Sequence, residues 1–141
     1  MFVNVDGAKS THTVKLIEDA MQYAKDQLMP KVENLFIDVE VIEGFYDREG
    51  INGETIYDEF PSRYCTIALD PAMEFNEFFT TLMHEMVHVK QYVTGQLKSS
   101  KWEGKKWNGS YADSPWEIEA YELESVLIYG FLNTKKEVAY G

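Results

Sequence analysis

Apolar positions along this chain recur with two periods, and the switches between them mark the elements. From Thr13 to Met29, the residues Val14, Ile17, Ala20, Met21, Ala24 and Leu28 keep the three-and-four spacing of one helix face, and Pro30 stops the run. Leu35 to Ile42 alternates instead, with Leu35, Ile37, Val39 and Val41 on one side, as a half-buried strand does. Arg63 to Leu69 alternates again through Cys65, Ile67 and Leu69. Helical spacing returns with Phe75, Phe79, Leu82, Met86, Val89 and Val93. Met83 and Val87 widen that stripe, so this helix is expected to be central and largely covered. A last helix opens at Ser114-Pro115, with Trp116, Ala120, Leu123, Leu127 and Phe131 as its apolar stripe.

Weaker signals fill the gaps. Phe2 to Val5 reads as a short strand or a loose end, cut by Asp6-Gly7. Phe45 to Gly53 reads as a hairpin-like loop, because Gly50 and Asn52-Gly53 tolerate positive φ, and Thr55 to Tyr57 continues a strand. Asp70 and Pro71 are expected to open the fourth of these elements as N-cap and first helical residue, and Gly95 to close it. This order of helix, strands, helix, loop and helix predicts an α+β fold. A small antiparallel or mixed sheet packs on the helices, in one domain spanning residues 1–141.

Composition narrows the class. With 45% hydrophobic and 14% aromatic residues, the chain can bury a proper core. No apolar stretch reaches the length of a membrane span, and no apolar run behind a basic start suggests a signal peptide. The single Cys65 excludes an internal disulfide and fits a reducing, cytoplasmic setting as a small buried residue. A net charge of −11 argues against nucleic acid or an anionic membrane as the main partner, and is neutral about peptides.

The chemistry concentrates in the 75–93 helix. His84-Glu85-Met86-Val87-His88 places two imidazoles four residues apart, one above the other on a single face, where both can reach one Zn²⁺. That face lies nearly opposite the apolar stripe. Glu85 is turned about 100° from His84, which suits a base acting on water beside the metal rather than a ligand. Two of the chain's three histidines fall here, while His12, at a helix start, is read as solvated.

A third protein ligand must come from elsewhere. Ser114-x-x-Glu117 has the form of a capping box, which gives Glu117 a purely structural explanation, and Glu119 lies on the other flank of the last helix's stripe. Periodicity does not decide between them.

His84-Glu85-x-x-His88 resembles the active-site helix of the zincin metallopeptidases. The elongated form of that motif carries Gly and His where this chain has Gln91 and Thr94, so that branch is excluded. Glu117-Ile118-Glu119-Ala120 resembles the Glu-x-x-Ala signature of the gluzincin branch, and the resemblance implies Glu117 as third ligand. Where the signature often continues with an acidic residue, this chain has Tyr121, which leaves the partner that orients the site unassigned. His88-Val89-Lys90-Gln91-Tyr92 is similar to small phage-encoded and SprT-like metallopeptidases.

The resemblance covers the C-terminal half. It implies a minimal zincin-like domain that hydrolyses peptide bonds with zinc held by His84, His88 and Glu117, and with Glu85 as base. Tyr111 or Tyr121 is expected as oxyanion donor, and Arg63 to Leu69 as the sheet edge that pairs with an extended peptide.

Gln96 to Ser114 has no period and holds Lys98, Lys101, Lys105 and Lys106 with Trp102, Trp107 and Tyr111 interleaved. It reads either as a solvated surface loop or as a rim that meets substrate. A SprT-like role at DNA would need a basic patch, and only this stretch offers one. Two other classes compete with the peptidase. One is a non-catalytic zinc-stabilised binding domain, disfavoured by the intact Glu85 because a purely structural site needs no base. The other is an acidic interaction protein.

Overall fold

The computed structural model describes residues 1–58 and 63–140, with side chains described through residue 135 in the second stretch. Its elements are β1 (Phe2–Asp6), α1 (Thr11–Leu28), β2 (Phe36–Val41), α2 (Phe45–Glu49), β3 (Gly53–Asp58), β4 (Tyr64–Leu69), α3 (Phe75–Val93), three two-residue strands β5 (Leu97–Lys98), β6 (Lys101–Trp102) and β7 (Lys105–Lys106), and α4 (Pro115–Tyr140). The fold is α+β.

The main sheet is mixed and has the order β1-β2-β4-β3. β1, β2 and β4 run parallel, and β3 joins the far edge antiparallel to β4. The α1 crossover between β1 and β2 is what a parallel pair requires. Phe2 to Val5 is therefore a real edge strand rather than a loose end. Ile37 and Val39 of β2, with Cys65, Ile67 and Leu69 of β4, point into one apolar cluster with Ile17 and Met21 of α1, Leu82 and Met86 of α3, and Leu127 and Phe131 of α4. Burial pushes the Cys65 thiol up to about 12, helped by the charge of Asp58, so it stays a protonated core residue.

Local chemistry sets the element ends. The Ser10 hydroxyl accepts from the Thr13 N–H at 3.1 Å and caps α1. Gly95, at φ +79°, takes the left-handed turn after α3 and donates to the Tyr92 carbonyl. Gly53 has a packing role. A Cβ there would stand 2.8 Å from Thr81 Cγ2, so only glycine lets the edge strand lie this close to α3.

Four sequence expectations are corrected. The stretch 45–53 is not a hairpin: α2 forms there, flanked by Gly44 and Gly50 in the left-handed region. Asp70 does not cap α3, which starts at Phe75 after Glu74. Its carboxylate accepts from the N–H groups of Tyr46 and Ala72, at 2.9 and 2.7 Å, and ties the end of β4 to α2. Arg63 to Leu69 is not an edge, since β4 is hydrogen-bonded on both sides. Phe75 is half exposed, because it stands on the first turn of α3 and rests on Phe79 at a ring separation of 4.7 Å; Phe78 is buried instead.

Gln96 to Ser114 contains a small antiparallel sheet, β5-β6-β7, beyond the end of α3. No helix among the described residues is long and apolar enough to cross a membrane.

Phe131 is almost fully buried and packs on Tyr23 and Phe79, with ring separations of 6.1 and 6.4 Å. Phe131→Ala should cost about 3–5 kcal/mol of unfolding free energy in a urea titration, while Tyr129→Ala, on the exposed side of the same helix, should stay within about 0.5 kcal/mol. Equal costs would contradict this core assignment.

Candidate metal centre

α3 and α4 pack against each other along a seam, and three of their side chains meet in it. His84 and His88 come from successive turns of α3, and Glu117 from the first turn of α4. His84 Nε2 lies 3.1 Å from one Glu117 oxygen, and His88 Nε2 lies 2.8 Å from the other. One donor atom from each of the three residues falls within 4.8 Å of the others. A tetrahedron with bonds of about 2.05 Å has edges of about 3.3 Å, so this spacing suits a small divalent ion.

The far side of each ring is also held. His84 Nδ1 is 2.8 Å from a Glu124 oxygen, and His88 Nδ1 is 2.8 Å from Gln91 Oε1. Gln91 is oriented in turn: its amide nitrogen donates to the Trp116 carbonyl at 2.8 Å, so its oxygen faces the ring as an acceptor. Each imidazole thus donates through Nδ1 and presents Nε2 to the shared point. That is the tautomer a metal needs, held as such ligands usually are by a carboxylate or amide oxygen.

Electrostatics point the same way. Burial would lower the His84 pKa, but the Glu117 and Glu124 carboxylates outweigh it and raise it to about 10. His88 is raised against its burial by Glu117 and Glu85. Burial would raise Glu117, but the two imidazoles overcome it and hold the carboxyl far below its usual range. Two rings that each face oxygen acceptors on both sides call for positive charge at this carboxylate. Protons on Nε2 can supply it, and so can one divalent cation bound to both Nε2 atoms and Glu117. The donor set fits a metal ion.

Compared with known proteins, the chain matches no family, no curated protein and no solved structure. The site therefore stands on its own geometry.

Glu85 is buried beside this cluster and outside it. Thr55 of β3 donates to its Oε1 at 2.7 Å, which fixes the carboxylate and leaves Oε2 free of that bond. Burial raises its pKa, opposed by the two imidazoles and Thr55. The four groups line a cleft of about 1430 Å³ between α3, β3 and the start of α4.

The competing roles of the two glutamates separate here. Ser114 Oγ accepts from the Glu117 N–H at 3.4 Å, so serine does cap α4. The Glu117 side chain, however, turns to the imidazoles rather than back to the cap. Glu119 points away, accepting from Lys90 at 2.6 Å and from the amides of Gln91 and Gln96. Of the tyrosines, Tyr111 donates to Glu117 Oε1 at 3.1 Å, while the Tyr121 ring packs on His84 with centroids 4.8 Å apart. His12 is exposed at the start of α1, far from the cluster in sequence and outside it in space.

Sequence reasoning missed Glu124, Gln91 and Thr55. Glu124 follows Glu117 by two helical turns and so shares its face, and Gln91 follows His88 by one turn. Both were within reach of helical spacing. Thr55 had no local signal, because its partner lies thirty residues away on another element.

One divalent metal ion per chain should bind to this site, and His88→Ala should abolish binding in a titration followed by elemental analysis. Glu124→Gln should weaken affinity about 10–100-fold by releasing the His84 ring. Glu119→Gln should leave affinity close to wild type. Loss in Glu119→Gln with retention in Glu117→Gln would reverse the assignment.

Proposed function

We propose that the chain is a zinc-dependent peptidase of zincin-like build, in which Glu85 drives water onto a peptide carbonyl. The observation that carries this reading is the pairing of two different carboxylates in one buried seam. Glu117 converges with both imidazoles on a common point, while Glu85 lies beside that point and opens on the cleft. A site built only for stability would close its fourth position with protein and would have no use for Glu85. The antiparallel edge strand β3 lies beside the two-histidine helix, where the peptidase reading needs a free edge for its substrate.

His84, His88 and Glu117 would hold the ion. Zinc, when bound, supplies a Lewis acid that polarises a carbonyl and acidifies water.

The remaining roles belong to the chain. Thr55 occupies Glu85 Oε1, so Oε2 takes the proton of the attacking water. The water oxygen bonds to the carbonyl carbon, the C–N bond breaks, and Glu85 returns the proton to the departing amine. Glu124 and Gln91 keep the two rings in register. The Tyr111 hydroxyl, at the rim, would turn from Glu117 Oε1 to donate to the developing oxyanion. The substrate lies extended along the outer edge of β3, which no other strand covers among the described residues. A cytoplasmic setting is part of this reading, supported by the free, buried Cys65.

Glu85→Gln tests the proposal. It leaves the three ligands untouched, so zinc should remain at one equivalent. Chelator-sensitive cleavage of a diverse peptide pool, read by mass spectrometry, should fall at least about 100-fold, the lower bound for general-base assistance. Cleavage that persists in the zinc-loaded variant would rule out this mechanism. A zinc-loaded wild-type protein that cleaves nothing would favour the binding domain.

A further inference from the structure

The cleft runs along α3 and β3, which lie side by side and point the same way. Gly53 meets Thr81, Thr55 bonds Glu85, and the Tyr57 and Tyr92 rings stack at 5.2 Å. The two ends of this cleft carry opposite charge. Glu54 and Glu77 line the end where both elements start. Both are exposed, and neither forms an ion pair among the described residues.

Lys98 lines the other end, with Ser99 and Ser100. Lys98 is not alone. The register of the small sheet sets Lys98 opposite Lys101 and Lys101 opposite Lys106. Cross-strand partners share a face, so three exposed lysines stand in one row. Strands lie about 4.8 Å apart, which keeps the whole row within about one Debye length, or 10 Å, at 0.1 M salt.

That row is unfavourable in isolation. Like charges directly opposite one another repel. The turns that hold it also require positive φ at Ser99, Ser100 and Glu103, at 51°, 62° and 49°, a region sparsely used by residues with a Cβ. Strain and repulsion together at the lip of a cleft call for an anionic partner.

We infer that the cleft selects extended polypeptides with an acidic side chain at the Lys98 end and a basic side chain at the Glu54–Glu77 end. The inference rests on the peptidase reading above and names its substrate class. Glu77 precedes His84 by seven residues, about 10 Å of helix rise, which an extended chain spans in about three residues. Antiparallel pairing gives the better hydrogen-bond geometry on an edge strand. β3 runs from the acidic end toward the basic end, so an antiparallel substrate enters with its N-terminal side at Lys98. The preferred order is acidic before the scissile bond and basic about three residues after it.

Two peptides of identical composition test this, one with Glu before the central bond and Lys after it, the other with the two exchanged. Their equal net charge removes any effect of the chain's own −11. Binding to zinc-loaded Glu85→Gln is read by fluorescence anisotropy. Exposed ion pairs are each worth a factor of about 1.5–5, and the exchanged peptide puts two like-charge pairs of similar size in place of the two ion pairs, so the acidic-first peptide should bind at least about fivefold tighter. The double variant Glu77→Lys and Lys98→Glu, made in the same background, should lose most of this preference, because Glu54 then faces the new lysine and the new glutamate stands beside Lys101 and Lys106.

Equal affinities, no binding of either peptide, the opposite preference, or a preference unchanged in the double variant would each overturn the inference. Cleavage of the preferred peptide by the wild-type protein is followed in parallel. Charge-ordered binding without cleavage would leave the inference standing and remove the peptidase reading.

Discussion

Glu117 sets one carboxylate oxygen against each imidazole of α3, at 3.1 and 2.8 Å, in a seam where its side chain is only 7% exposed. A carboxylate in such a place is costly unless it is fully paired. The pairing holds only if α3 and α4 keep a fixed separation and a fixed rotation about their axes. Much of the fold serves that end. Ala120, fully buried one turn after Glu117, lets the two helices approach. Leu127 and Phe131 continue the contact into the common core. Lys135 bonds Asp19 of α1 at 2.7 Å and ties α4 to the other side of the helical layer. Gly53 draws β3 onto α3, which brings Thr55 within reach of Glu85.

The periodic parts of this arrangement were legible before any coordinates. α3 and α4 carry long apolar stripes, and the positions of both helices follow from spacing. The helix face that bears His84 and His88 is likewise a matter of counting. The edge assignment was not legible, because whether β4 is central depends on where β3 and β2 pair, and alternation in Arg63 to Leu69 reads the same in either place. Asp70-Pro71 misled for a related reason. An Asp followed by Pro can cap a helix or a turn, and here the carboxylate is claimed by the Tyr46 N–H from a distant segment. Glu117 shows the limit most clearly. The capping box and the ligand reading share the same residue, and only the approach of α3 decides where the carboxylate goes.

The same geometry sorts the acidic residues of the site by task. Glu117 faces Nε2 of both rings, Glu124 holds Nδ1 of one, Glu85 is fixed by Thr55 beside them, and Glu119 belongs to a separate network with Lys90, Gln91 and Gln96. Four glutamates of α3 and α4 thus take four roles through their partners alone. Gln91 links two of these networks, since its oxygen orients His88 while its nitrogen contacts Trp116 and Glu119. The first turn of α4 and the ring of His88 are coupled through that one amide.

X-ray absorption at the zinc edge probes this centre most directly. The zinc-loaded chain should give a four-coordinate shell of nitrogen and oxygen near 2.0–2.2 Å, with the outer scattering of two imidazoles. A sulfur neighbour at about 2.3 Å, or the scattering of a single imidazole, would contradict a centre built from His84, His88 and Glu117.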